Sequence, residues 1–153
     1  MGGGGMGGMG GGGGFFSVPA AKTGKIKVPC VCLEHGKPDP TPRMTYRIIP
    51  LEKFNSNPQV AEICRMLGRG EVGQNVAQAA TWHLTDGLSW QQLANKNRVE
   101  LRSVGYVEKF FQPRELMLAA RVEAEAARRS RERGESASQA SPGTTANDNA
   151  AAQ

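Results

Sequence analysis

The chain has 153 residues and a formal net charge of +5, but its first fourteen residues are only glycine and methionine, and its last residues are mostly small and polar. Neither end can bury a hydrophobic core, and the part between them is long enough for one domain only. A membrane-spanning helix needs about 20 apolar residues, and no apolar stretch of this sequence approaches that length. We therefore predict a glycine-rich head (1–21), one compact domain (22–122), and a charged helix end with a disordered tail (123–153).

The positive charge is concentrated near the start of the predicted domain. From Lys22 to Lys53 there are seven basic and three acidic residues, whereas the stretch from Arg114 to Glu135 holds six arginines and five glutamates. A nearly neutral helix of that composition is typical of a solvated charged face. The overall charge therefore gives only a weak indication of nucleic-acid binding.

The first half of the predicted domain favours short strands and a loop. The segment KVPCVCLE carries enough β-branched residues to predict a strand, and MTYRIIPL, stopped by Pro50, predicts a second. Between them, HGKPDPTPR contains three prolines, which remove backbone donors and fix φ, so we expect a loop there. The two strands are predicted to pair as a ribbon near Val28 to Ile49.

The second half favours helices. Asn57 and Pro58 predict the start of a first helix, a second is predicted from about Gln74 to Thr85, and Ser89 caps a third, short one. Each of these predictions rests on capping residues followed by apolar side chains at helical spacing.

The end of the domain is predicted to be a longer helix after an ambiguous stretch. Residues 98–111 alternate only in part and indicate an irregular or short extended segment. A helix rich in alanine, glutamate and arginine starts near Pro113, and its apolar face fades after Val122, so its far end is expected to project into solvent. The predicted fold class is α+β, mainly helical, with a short two-stranded ribbon packed on three to four helices.

The surroundings of Gln78 single it out as a candidate site residue. It is flanked by small apolar residues in VAQAATWHL, and Trp82 follows one turn later on the same helix face. One interpretation is purely structural: the alanines allow close packing and the amide hydrogen-bonds to a backbone group, as buried amides do.

A second interpretation rests on a resemblance in two short motifs. Gln78, Ala80 and Trp82 have the spacing of the signature of the bacterial Cys-Gln thioester domain, also called the TQXA domain. Cys32, followed by leucine and then Glu34, resembles the segment that carries the cysteine of that family. The spans VCLEHGKPDP, CRMLGRGE and QAATWHL also resemble a family of bacterial envelope proteins, a likeness that implies no mechanism.

The thioester resemblance implies a definite chemistry. Cys32 would attack the side-chain amide of Gln78 and expel ammonia, which leaves a thioester that an amine or alcohol on a partner could open. Trp82 would shield the bond from water, and His83 could move protons during its opening. Such a protein is a covalent, single-use binding module and not a turnover enzyme.

Two further interpretations, a metal site and a helix-turn-helix, involve other residues. Cys30, Cys32 and His35 lie close together, with Cys64 and His83 as more distant metal ligands, but the paired cysteines of a structural zinc site are incomplete. We predict neither a metal nor another cofactor.

The stretch ATWHLTDGLSWQQLANKN has the rhythm of a helix-turn-helix, after which Arg98 and Arg102 could touch phosphates. This gives the alternative to the surface-module prediction: an intracellular nucleic-acid or protein-interaction module.

The sequence thus predicts a non-enzymatic binding or surface module for an unknown protein or surface ligand. Cys32 and Gln78 are the candidate reactive pair, supported by Glu34, Trp82 and His83. Its location is left open, because a start truncated upstream of Met1 would favour a secreted or envelope protein and a true start there a cytoplasmic one. The oligomeric state is also left open.

Overall fold

The computed structural model describes residues 19–38 and 40–139. After a short 3-10 turn at Leu51–Lys53, the elements are helices α1 (Pro58–Gly68), α2 (Gln74–Asp86) and α3 (Trp90–Asn95), strands β1 (Asn97–Leu101) and β2 (Tyr106–Lys109), and helix α4 (Pro113–Gln139). The predicted fold class, α+β and mainly helical with one two-stranded ribbon, is confirmed. Most of the predicted head (1–18) and the end of the predicted tail (140–153) lie outside the described residues.

The helix boundaries follow from local capping chemistry. The side chain of Asn57 accepts a hydrogen bond at 2.9 Å from an amide of the first turn of α1, where Pro58 lacks a donor. Helix α2 ends at Gly87, whose φ of 66° is the left-handed conformation that glycine adopts without strain. Ser89 and Gln92 then form a reciprocal capping box at the start of α3. The predicted starts of α1 and α3 and the stop of α2 are therefore confirmed.

Helix α2 lies at the centre of the core. Every residue from Val76 to Trp82 is buried, so this helix needs cover on all of its faces. Helices α1 and α4 both pack on it. Its alanines at positions 77, 79 and 80 are fully buried and let neighbouring elements approach closely. The core is completed by Val60, Ile63, Met66, Leu67, Leu93, Phe111, Ala119, Val122 and Ala126.

The predicted position of the ribbon, near Val28 to Ile49, is wrong. The described residues of that range form no strand, and the ribbon is instead the antiparallel pair of β1 and β2, within the stretch predicted to be irregular or extended. The turn between these strands contains Gly105 at a φ of 65°, which glycine accommodates. Within that range, backbone groups of Cys30, Cys32 and His35 bind side chains of α2 in place of a strand.

Helix α4 packs against the domain beyond the point that the sequence indicated. Ala126 is fully buried, Arg129 pairs with Glu71 at 2.7 Å, and Arg133 binds the carboxylate of Glu62 on α1. The packed surface thus continues past Val122, where the predicted domain ended, rather than projecting into solvent from there. No helix within the described part of the chain is both long and apolar enough to cross a membrane.

Glu62 is a buried carboxylate that ties α1 to α4. Its side chain is only 1 % exposed and accepts hydrogen bonds from Arg65 at 2.8 Å and from Arg133. The hydrogen bond from Arg133, helped by the charges of both arginines, holds the pKa of Glu62 below its usual 4.5 although burial opposes this. The two cationic partners offset the cost of burying the charge.

Replacing Glu62 with glutamine is expected to lower the free energy of unfolding at pH 7 by about 1.5–3 kcal/mol, because hydrogen bonds between charged groups are lost. Urea denaturation measures this. The control is Glu132→Gln, since the pair of Glu132 with Arg128 is exposed and contributes little.

The pH dependence of this stabilisation follows from the lowered pKa. The contribution of Glu62 is present above its ordinary pKa of 4.5 and is lost as the pH falls through the lower folded-state value. The stability difference between the wild type and Glu62→Gln should therefore shrink below about pH 4. Equal stability of the two proteins at pH 7 would contradict the role given to this carboxylate.

Candidate functional site

One face of α2 carries a row of four side chains at intervals of four residues. They are Gln74, Gln78, Trp82 and Asp86. Residues 30–35, called here the docked segment, lie along this row in the direction of the helix. Cys30 contacts the first member, Cys32 the second, and His35 the third and fourth.

Four residues of α2 and two residues of the docked segment advance by nearly the same distance. Four helical residues rise about 6 Å, and two extended residues span about 6.6 Å. Gln74 Nε2 donates to the carbonyl of Cys30 at 2.9 Å, and Gln78 Nε2 donates to the carbonyl of Cys32 at 2.8 Å. Side chains one helical turn apart can therefore bind carbonyls two residues apart on one edge of the segment.

The side chain of Gln78 binds both backbone polar groups of Cys32. Besides donating to the carbonyl, its Oε1 accepts a hydrogen bond from the Cys32 N–H at 2.7 Å. Gln78 is 8 % exposed, so an amide without partners here would be costly. We call this pair of hydrogen bonds the amide clamp, because the amide takes the place of a neighbouring strand.

The structure thus brings Cys32 and Gln78 together, with the contact made through the backbone of Cys32. The Cys32 thiol donates to the carbonyl of Glu34 at 3.0 Å instead. Both Cys32 atoms of the clamp belong to the main chain, so the thiol takes no part in it. Glu34 contributes its carbonyl, and its carboxylate is exposed.

The three cysteines differ in their surroundings. All are free thiols; Cys30 is exposed, whereas Cys32 and Cys64 are half-buried. Burial raises the pKa of the Cys64 thiol, which reduces its thiolate fraction at neutral pH. Cys64 lies on α1, half-buried and outside the set of core residues, so the sequence-based placement of this thiol in the core is not confirmed. Within residues 19–38 and 40–139, no three histidine, cysteine or acidic side chains are grouped as a metal site would require, so Cys30, Cys32 and His35 do not form one.

His35 closes the far end of the row. Its backbone N–H donates to Asp86 Oδ1 at 3.0 Å, and its ring meets that of Trp82 edge-on, with centroids 4.9 Å apart. Lys96, the residue at which α3 ends, places its Nζ 2.9 Å from His35 Nε2. Because an ammonium only donates, Lys96 Nζ is the donor of this contact and His35 Nε2 the acceptor.

His83 lies in different surroundings from those that the resemblance implies. Its Nδ1 contacts the carbonyl of Leu88 at 2.7 Å, its ring stacks on Trp90 with centroids 4.3 Å apart, and its Nε2 is 3.7 Å from Glu123. His35, rather than His83, lines a cavity together with Cys32.

A cavity of about 340 Å³ opens beside the amide clamp. Cys32, Gln78 and Trp82 line it, as the predicted roles of these residues require, and so do His35 and Lys96. Lys96 was not recognised from the sequence, because nothing in WQQLANK distinguishes it from an ordinary surface lysine.

Comparison of the chain with protein-family models, with curated proteins and with solved structures gives no match. The geometry of the site is therefore the basis for the function proposed below.

Replacing Gln78 with alanine should raise the exchange rate of the Cys32 amide hydrogen by about tenfold or more, since a buried hydrogen bond is lost. Hydrogen exchange followed by NMR measures this residue by residue. Gln74→Ala is the matched control, because it removes a single exposed bond to the carbonyl of Cys30 and should leave the Cys32 amide protected. Unchanged exchange at Cys32 in a folded Gln78→Ala protein would rule out the clamp.

Proposed function

We propose that this protein is a non-enzymatic binding module that works at the docked segment, with Cys32 and Gln78 as the pair that engages a partner protein or surface ligand. The observation that carries the proposal is the amide clamp. A buried amide is committed to the backbone of one cysteine, and it fixes that residue beside an open cavity. Fixed placement of a reactive group lowers the entropic cost of engaging a ligand.

The hydrogen bonding around His35 supports binding over turnover. A cysteine nucleophile in an enzyme usually relies on a histidine base to take its proton. His35 shares the cavity with Cys32, but its Nε2 accepts a hydrogen bond from Lys96 and is therefore occupied. The thiol donates to a backbone carbonyl, which does not activate it.

The finer form of the proposal is an internal thioester between Cys32 and Gln78. The pair is 46 residues apart in sequence and in direct contact in space. For the bond to form, the amide clamp must open so that the Cys32 thiolate can attack Cδ of Gln78. A C–S bond then forms, the C–N bond breaks, and the nitrogen leaves as ammonia after taking up the thiol proton.

Intact mass of freshly purified, unreduced protein tests the thioester. Formation removes one ammonia, so we expect a deficit of about 17 Da, and methylamine should then add about 31 Da by opening the bond. The deficit should vanish in Cys32→Ala and in Gln78→Ala. Cys30→Ala is the matched control and should retain it, since Cys30 is exposed and its side chain has no part in the clamp.

Two results would reject the covalent form. A full mass with Cys32 freely alkylated would show that the clamp is only a non-covalent support. A deficit that methylamine leaves unchanged would indicate an amide cross-link, for which the Lys96 amine in the same cavity is a nearby candidate, and not a thioester.

Nucleic-acid binding is the second candidate, because α2 and α3 do form a helix pair around Gly87 and the ribbon carrying Arg98 and Arg102 follows. It ranks below the first because Glu108 lies 3.8 Å from Arg98 and Glu100 lies 3.0 Å from Arg102. These carboxylates compete with phosphates for the two arginines.

Retention on immobilised duplex DNA at about 50 mM salt tests this candidate. We expect the wild type to flow through. Retention that falls steeply with salt, and that Arg98→Gln weakens, would instead make nucleic-acid binding the leading function.

A further inference from the structure

The cavity beside the amide clamp carries an excess of positive charge. Its described walls include Lys37, Lys96 and Arg98 against the single carboxylate of Glu34. Its entrance is therefore electropositive, and field lines concentrate in such a concave, partly apolar space.

Among the described residues, Lys96 is the cation of this cavity with no carboxylate within 4.0 Å. It is half-buried, and its Nζ lies 5.3 Å from the ring centroid of Trp82 and 5.5 Å from that of Phe110. An ammonium has three donors, and the contact with His35 Nε2 uses one of them. Aromatic faces only partly replace water around the charge. Lys96 thus retains donors and charge for a ligand.

The acidic groups around the cavity are engaged elsewhere. Glu34 lies 4.0 Å from Lys37, and more than half of its side chain is in solvent. Glu108 pairs with Arg98 at 3.8 Å, and Asp86 accepts hydrogen bonds from the His35 backbone and from Thr85. None of these carboxylates lies within 4.0 Å of the Lys96 ammonium.

We propose that this cavity binds a small oxyanion, a carboxylate or a phosphate group, on the ammonium of Lys96. The inference rests on the proposed binding function and names the chemical class of its ligand. The oxyanion accepts the remaining Lys96 donors, while Arg98 and Lys37 add attraction from the rim. The docked segment supplies His35 to the site, and Lys37 follows two residues after it.

The test is a titration of the full chain with inorganic phosphate and, separately, with acetate, at an ionic strength held constant with sodium chloride. Backbone amide shifts of His35, Lys96 and Asn97 are followed by NMR. At least one of the two anions should give saturable shifts at these residues. Whichever anion binds more tightly identifies whether the natural group is a phosphate or a carboxylate.

The variants separate a specific site from general charge effects. Lys96→Gln should weaken binding by about tenfold or more, while Lys96→Arg, which keeps the charge, should stay within about threefold. Lys109→Gln is the matched control: it removes the same charge from strand β2, and Lys109, which hydrogen-bonds Asn95 and the cavity residue Asn97, does not itself line the cavity. It should bind as the wild type does.

The outcomes also separate this inference from the thioester. Saturable binding by a protein of full mass would support the oxyanion site while rejecting the covalent form. Shifts that grow linearly with both anions, or equal weakening by Lys96→Gln and Lys109→Gln, would overturn the oxyanion site whatever the mass measurement gives.

Discussion

The burial of α2 is the constraint on which the rest of this structure depends. Seven consecutive residues, from Val76 to Trp82, are shielded from water, so the helix is covered on every side. Two helices, α1 and α4, cover part of its circumference. The remaining face is covered by the docked segment, whose residues Val31 and Cys32 pack against the core. Without that segment, the polar side chain of Gln78 would face solvent and the core around it would be open.

A buried helix face that contains glutamine restricts what can cover it. The amide offers both donors and acceptors, and each needs a partner once water is excluded. An extended backbone meets this demand, because N–H and C=O of one residue lie on the same edge, where one side-chain amide can reach both. A helix could not, since its backbone groups are already paired internally. The choice of an extended segment at this face therefore follows from Gln78.

Local chemistry made several parts of the fold predictable, and long-range pairing limited the rest. Asn57, Gly87 and Ser89 mark helix ends through contacts within a few residues, so the sequence indicates them directly. The docked segment has the composition of a strand, but its partner is the row of side chains on α2, more than forty residues away in sequence. The periodicity of apolar residues does not reveal a partner at that distance. The extent of α4 was missed for a similar reason: its late turns are held by Arg129 and Arg133, whose partners lie on and just after α1. The proximity of Cys32 to Gln78 was expected from a resemblance, and a backbone partner for the Gln78 amide from the need of buried amides for partners. That this backbone belongs to Cys32 was not predicted.

The amide clamp and the cavity share the docked segment, and this links them thermodynamically. The segment supplies His35 to the cavity, so a proposed ligand that contacts His35 binds more tightly when the segment is docked. By linkage, that ligand raises the equilibrium constant for docking by the factor by which docking raises its affinity. The clamp binds main-chain atoms, which every residue type except proline offers in full. The charge of the cavity, in contrast, comes from side chains, chiefly that of Lys96. In the proposed binding module, docking and ligand selectivity are therefore assigned to separate groups, Gln78 for the first and Lys96 for the second.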